Sequence, residues 1–167
     1  EGVRNGVALG SEGAAGIFDV WFEDCLLVNR HRGVYIKASS GDPAPYERIH
    51  FHRITMRNIE SDAIMINMFY HRVPGSSKPQ WRGLDFQGIS CNKAKLGIKI
   101  QAFPDRIKDL TVRDSEFWPK HKYSDQVGEW KESPEYTETN VTWHPPPRPR
   151  PWPGTLASKG DFGFEVL

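Results

Sequence analysis

Several polar side chains of the sequence are of types that commonly bind ligands. Among short apolar segments, the positions that would face outward hold an aromatic ring, a cation and two amides: Tyr35, Lys37, Asn67 and Gln101. A lysine can bind a carboxylate, an amide can bind hydroxyl groups, and an aromatic ring can pack against a sugar ring. These residue types predict a binding surface for a carboxylated ligand.

The same segments lack a pair of carboxylates that could act together as an acid and a base. Acid–base hydrolysis on two carboxyl groups needs them near each other, roughly 6.5 to 9.5 Å apart where a water molecule attacks between them. Arg32 and Asp62 stand just before two of the segments, and no second carboxylate accompanies Asp62. The residues therefore predict binding without a complete acid–base pair in this chain.

A metal or cofactor site is not expected. His50 and His52 flank Phe51 and would share one face of a strand, as two metal ligands must, but the sequence gives no evident third ligand. A glycine-rich nucleotide loop, a Gly-x-Ser-x-Gly element and a Cys-x-x-Cys motif do not occur. We therefore predict no metal and no cofactor.

The outward positions belong to a repeated segment with period-two apolar residues. Its copies are Gly6-Val-Ala-Leu, Gly33-Val-Tyr-Ile, Ala63-Ile-Met-Ile and Gly97-Ile-Lys-Ile. If the copies stack, two inward columns are apolar and the column before them is small. The inward columns are Val7, Val34, Ile64 and Ile98, then Leu9, Ile36, Ile66 and Ile100. Small residues before each strand suit a tight bend of the backbone.

A second segment alternates with the first and has apolar residues at offsets 0, 3, 5 and often 8. We place its copies at Ile17, Phe51, Trp81 and Ile107, which are 34, 30 and 26 residues apart. Two period-two strands per repeat of this length indicate a solenoid of β-strands rather than helices.

The predicted fold is all-β: a right-handed parallel β-helix of about four coils over residues 1–118. After residue 118 the pattern stops, and residues 119–167 are polar and proline-rich. We expect them to form an irregular strap or cap over the last coil, because an open edge of strands would pair with other chains.

Composition and charge exclude several classes of protein. The 167 residues carry a net charge of +1, which gives no basic field for nucleic acid. No apolar run approaches the roughly 18 residues of a membrane span, and the first residues lack the pattern of a signal peptide. Cys25 and Cys91 are the only cysteines, and their apolar surroundings predict buried free thiols.

With the coils placed, the sequence resembles glycoside hydrolase family 28, the polygalacturonases and rhamnogalacturonan hydrolases. The resemblance covers roughly residues 4–115 and rests on "GVALGSEGAAGIFDVWFEDC", "RGVYIKAS" and "IMINMFY". It implies a parallel β-helix with a substrate groove along one face, a pectic or other uronate-containing polysaccharide as partner, and a secreted, periplasmic or extracellular location.

The resemblance can be followed residue by residue. The family has a Gly-His-Gly element before a strand that ends in Gly-Ser; here Gly6 and Gly10-Ser11 match, and Asn5 stands at the histidine position. The family's Arg-Ile-Lys, whose cations bind the sugar carboxylate, corresponds to Tyr35-Ile36-Lys37, which keeps the lysine only.

A tyrosine follows the next strand in the family, and Tyr70 matches it. Glu12, after the Gly-Ser element, is a further groove candidate by resemblance to bacterial and exo-acting members. The predicted substrate-binding residues are therefore Lys37, Tyr35, Tyr70, Asn5, Glu12 and Arg32.

The family's catalytic aspartates, in an Asn-Thr-Asp element and an Asp-Asp pair, do not occur in this sequence. In the family they precede the Gly-His-Gly turn. We therefore expect this chain to be the C-terminal part of such an enzyme and inactive alone, with upstream coils or a second chain stacked on its first coil.

Two alternatives remain open. One is a non-catalytic carbohydrate-binding or structural β-helix, which the substitutions at Asn5 and Tyr35 favour slightly. The other is a polysaccharide lyase on the same fold, which would need a cluster of carboxylates for Ca²⁺ and an Arg or Lys base.

Overall fold

A computed structural model describes residues 4–12, 15–71, 78–103, 105–124 and 136–144, with only the backbone described for 121–124. Its strands are β1 Asn5–Leu9, β2 Ile17–Glu23, β3 Leu26–Arg30, β4 Arg32–Lys37, β5 Pro45–His52, β6 Thr55–Ile59, β7 Asp62–Asn67, β8 Gln80–Gln87, β9 Ser90–Gln101, β10 Ile107–Ser124 and β11 Tyr136–Trp143. All pairings between them are parallel, so the described chain forms a parallel β-solenoid of about four turns. The all-β solenoid prediction is confirmed.

The strands stack in three faces. The first face contains β1, β4, β7 and the C-terminal part of β9, where β10 also ends. The second face contains β2, β5, β8, the start of β10 and the start of β11. The third face contains β3, β6 and the start of β9, with the middle of β10 beside it. Each coil therefore crosses all three faces in turn.

The predicted columns of the first face are present. Val7, Val34, Ile64 and Ile98 pair in register, and so do Leu9, Ile36, Ile66 and Ile100. In the small column before them, packing requires the glycine at position 33. A Cβ on Gly33 would collide with the sulfur of Met56 and the carbonyl oxygen of Ala63.

The register of the second face corrects one row of the sequence alignment. Ile17 pairs with Tyr46, and Tyr46 pairs with Trp81, so the second copy is Tyr46, Ile49, Phe51 and Ile54 rather than the row that begins at Phe51. All four of these side chains are fully buried. The row that begins at Phe51 shows the same spacing of apolar residues by coincidence, because the apolar alternation of β5 continues through β6.

The offset of three at the start of each second-face strand has a local cause. Asp19, Arg48, Gly83 and Asp109 occupy one column and all have left-handed backbone, with φ between 52° and 66°. Each adds one residue to its strand, as a β-bulge does, and shifts the next apolar side chain to the core.

The predicted boundary at residue 118 differs from the described strands. β10 continues to Ser124, and β11 adds a parallel strand at Tyr136–Trp143. In β11, Val141 packs against the core and Trp143 is buried, which explains its docking on β10. The rest of the proline-rich strap or cap lies outside the described residues.

Candidate functional site on the first face

Lys37, Tyr35 and Tyr70 come together on the first face. The Lys37 ammonium lies 3.7 Å from the ring centroid of Tyr70 and 5.7 Å from that of Tyr35. The two tyrosine rings meet edge to face, with centroids 6.1 Å apart. Tyr70 is 38% exposed, whereas Tyr35 is 5% exposed. Tyr70 and Lys37 are therefore the accessible members of this cluster.

The end of β4 is fixed by contacts from two neighbouring segments. The buried Tyr46 hydroxyl donates a hydrogen bond of 3.0 Å to the carbonyl oxygen of Lys37. The backbone nitrogen of Tyr70 donates to the carbonyl oxygen of Ala38, at 3.1 Å. These bonds fix the backbone at the end of β4 beside the backbone of Tyr70.

Asn67 supports Tyr35 rather than presenting a free amide. Its Nδ2 donates to the Tyr35 hydroxyl at 3.1 Å, and its Oδ1 accepts a hydrogen bond from the backbone nitrogen of Phe69 at 2.8 Å. Asn67 is only 7% exposed. Burial raises the pKa of the Tyr35 hydroxyl, which therefore stays protonated at neutral pH. We interpret Asn67 as a positioning residue.

Arg32 extends the cluster toward a buried carboxylate. Its Nε donates to Asp62 Oδ2 at 3.0 Å, and its guanidinium carbon lies 5.0 Å from the Tyr35 ring centroid. Asp62 is 1% exposed and also accepts a hydrogen bond from Ser61 Oγ at 3.0 Å. An anion held by Arg32 in this way is not placed to act as an acid or a base on a ligand.

Asn5 lies beside this ion pair and Glu12 lies apart from it. Asn5 pairs in register with Arg32, and the Oδ1 atoms of Asn5 and Asp62 are both buried without a hydrogen-bond partner among the described residues. Glu12 is exposed and makes no hydrogen bond to the part of the chain that the structure describes. The structure thus brings together Arg32, Tyr35, Lys37 and Tyr70, which we call the cation–aromatic cluster.

One further cluster was missed by the sequence analysis. On the second face, His50 and His52 meet Asp85, and one ligand atom from each lies within 4.8 Å of the others. Asp85 pairs directly with His50. The sequence alignment of the second segment placed Phe51 opposite Trp81, and His50 would then lie opposite Gln80. The correct register of Tyr46 with Trp81 was the signal that would have revealed the third group.

The fold defines the chain as a parallel β-solenoid whose first face carries the cation–aromatic cluster. The sequence profile of "Glycosyl hydrolases family 28" matches residues 3–115. The chain therefore belongs to glycosyl hydrolases family 28, as the resemblance predicted.

Among characterised proteins, the chain is similar to an endo-polygalacturonase of Pectobacterium carotovorum subsp. carotovorum. The two are 25% identical over 89 residues, which is 53% of this chain and 22% of the relative. The chain thus aligns with about a fifth of that relative's length. No solved structure matches the chain. Among the described residues, no helix has the length and apolar character needed to cross a membrane.

Proposed function

We propose that the first face binds a uronate-containing stretch of pectic polysaccharide, as part of a glycoside hydrolase. The observation that carries this proposal is the placement of Lys37. Its ammonium lies against Tyr70, and no carboxylate pairs with it among the described residues. A cation of this kind is available for the carboxylate of a sugar acid.

The neighbouring groups support the same ligand. Tyr70 offers a partly exposed ring against which a sugar can pack, and its position beside Lys37 joins apolar and ionic recognition in one place. Arg32 adds positive charge beside Tyr35. We propose that Tyr35 supports these groups from beneath and does not contact the ligand, because its side chain is almost fully buried.

Asn5 and Glu12 are proposed as flanking binding residues. The Asn5 side-chain oxygen is a buried acceptor with no hydrogen-bond partner among the described residues, and an amide cannot transfer protons as an imidazole can. Glu12 follows the buried Ser11 at the end of the first coil's strand and is proposed to contact a more distant sugar.

We propose that the catalytic carboxylates of an inverting hydrolysis come from a further coil, upstream in the same polypeptide or on a second chain. On the described strands of the first face, Asp62 is the only carboxylate, and Arg32 neutralises it. An acid and a base must therefore be supplied from elsewhere.

The edge of the first coil supports a stacking partner of this kind. The inward side chains Val7, Leu9, Ile17, Val20 and Phe22 are only partly buried, whereas their counterparts in the next coil, Val34, Ile36, Tyr46, Ile49 and Phe51, are fully buried or nearly so. A parallel coil paired with β1, β2 and β3 would cover them and satisfy the open strand edges.

A non-catalytic carbohydrate-binding β-solenoid is the second candidate. The engagement of Asp62 with Arg32, and Tyr35 in the place of a cation, favour binding over chemistry. A lyase is less well supported, since the carboxylate-poor strands of the first face offer no set of ligands for Ca²⁺ among the described residues.

The mass of the native and denatured protein, measured beside release of reducing sugar from polygalacturonate, separates these candidates. Sugar release by an assembly heavier than the 19.1 kDa of this chain supports the hydrolase. A protein that contains the further coil and binds polygalacturonate without releasing sugar supports the binding protein. By family resemblance, we propose a secreted, periplasmic or extracellular setting.

A further inference from the structure

We propose that His50, His52 and Asp85 form a binding site for a divalent transition metal ion of the Zn²⁺ type on the second face. Two imidazoles and a carboxylate are a common ligand set for such ions, with water completing the coordination. The site is separate from the cation–aromatic cluster, which lies on the first face.

The strand geometry places the three ligands. His50 and His52 alternate with the buried Ile49 and Phe51 on β5, so both imidazoles face outward. Asp85 lies opposite His50 on the adjacent strand β8. Its Oδ2 is 2.9 Å from His52 Nε2 and 3.6 Å from His50 Nδ1. A small outward movement of these atoms would surround one ion.

The environment of His50 Nδ1 supports a ligand at this position. This nitrogen is buried and has no hydrogen-bond partner among the described residues. The Trp21 indole stacks on the His50 ring at 3.9 Å between centroids and restricts its orientation. An imidazole nitrogen in this environment has a fixed orientation and a lone pair that can coordinate a metal ion.

The surroundings of His52 fit the usual second shell of a metal-bound histidine. Coordination through Nε2 requires its proton to be absent and the other nitrogen to carry one. His52 Nδ1 lies 3.6 Å from Glu23 Oε1, which can orient that N–H group. Glu23 is therefore a positioning residue for the proposed ligand.

Arg113 competes with the proposed ion for the Asp85 carboxylate, which provides a second test of the proposal. Its Nη2 donates to Asp85 Oδ2 at 2.9 Å, and its Nε donates to Oδ1 at 3.2 Å. Thr111 also donates to Oδ1, at 2.7 Å. Metal binding must displace the contact at Oδ2, which the partly exposed Arg113 can give up while the contacts at Oδ1 remain.

The test is titration of the chelator-treated full chain with Co²⁺, followed by its visible absorption bands, and then by competition with Zn²⁺. We expect saturation at one ion per chain, and His50→Gln or His52→Gln should weaken binding by at least about tenfold. His31→Gln is the matched control, because His31 also lies beside a carboxylate, Glu60, but belongs to no group of three possible ligands among the described residues.

Arg113→Met should tighten Co²⁺ binding by removing the competing cation. Circular dichroism and thermal melting of each variant show whether it remains folded, and the Arg113 variant tests the site even where a histidine variant is unstable. Absence of saturable binding by the native chain would overturn the proposal. Equal affinities of the native chain and the folded His50 and His52 variants would overturn it too.

Discussion

At the scale of the residue, Arg32 and Asp62 show how the first face holds a carboxylate without exposing it. Asp62 is 1% exposed, and Arg32 Nε and Ser61 Oγ both donate to its Oδ2, each at 3.0 Å. A buried charge is costly unless it is paired, so the guanidinium is required for the native conformation. The same pairing removes the carboxylate from acid–base chemistry.

Replacement of Arg32 by Met should therefore lower the free energy of unfolding by about 3–5 kcal/mol, because it leaves the Asp62 charge buried and unpaired. Urea denaturation measures this difference. Arg48→Met is the matched control: it breaks an exposed pair with Asp19 and should cost no more than about 1 kcal/mol. Equal losses in the two variants would contradict this interpretation of Arg32.

A second prediction at the scale of the residue concerns Asp85 and the pH dependence of stability. Burial alone would raise the pKa of this carboxyl, but hydrogen bonds from Arg113, Thr111 and His52 outweigh burial and lower it well below its usual range. A lowered folded pKa adds stability that is complete above the unfolded pKa of about 3.9 and is lost as the pH falls through the folded pKa.

The native protein should therefore lose stability as the pH falls below about 4, and Asp85→Asn should lose less over the same interval. Denaturant unfolding at several pH values between neutrality and the acid limit measures the two slopes. Parallel slopes for the native protein and the variant would show that Asp85 is not responsible.

At the scale of the element, aromatic rings stack along the inside of the second face. Phe51 lies between Phe22 and Phe86, with ring centroids 5.1 Å and 4.8 Å away and nearly parallel planes. Tyr46 stacks on Trp81 in the same way, at 4.9 Å. Each ring therefore depends on the coils above and below it.

Phe51→Ala should destabilise the protein by about 3–5 kcal/mol, because it removes a fully buried ring from between two others and leaves a cavity there. Phe22→Ala should cost clearly less, since Phe22 is partly exposed and has one ring partner among the described residues. Chemical denaturation compares the two variants. A larger loss for Phe22 would contradict the proposed order of the coils.

The first-face strands were predictable from the sequence because their apolar spacing of two repeats in four copies, including the columns that contain Val34 and Ile36. The second-face register was not, since the left-handed residues at Asp19 and Arg48 insert an extra position and two alignments then fit the apolar pattern. A change of register of this kind changes which residues lie next to every side chain of the strand.

The candidate site was predictable only in part, for the same physical reason. Alternation placed Tyr35 and Lys37 on one side of β4, as the structure has them. Alternation does not reveal which side chains cover a given residue. Tyr35 is contacted by Arg32, at the start of the same strand, and by Tyr70, which follows the strand of the next coil. Burial of Tyr35 required the three-dimensional structure.

At the scale of the whole molecule, the solenoid separates its chemistry by face. The cation–aromatic cluster lies on the first face, and the His50, His52 and Asp85 cluster lies on the second. Core side chains between the faces are close to fully buried in the middle coils, whereas those of β1 and β2 in the first coil are only partly covered. We expect binding at the two clusters to be independent, and a further coil to complete the structure at the β1 edge.

The central claim is that Lys37 binds the carboxylate of a pectic sugar, and calorimetric titration with a short oligogalacturonate tests it most directly. A lost charge-assisted contact of about 1.5–3 kcal/mol predicts that Lys37→Met weakens binding by about ten- to a hundredfold. Lys93→Met, which removes an exposed lysine outside the cluster, should leave affinity unchanged. Native-like binding by the folded Lys37 variant, or an equal loss in both variants, would contradict the account.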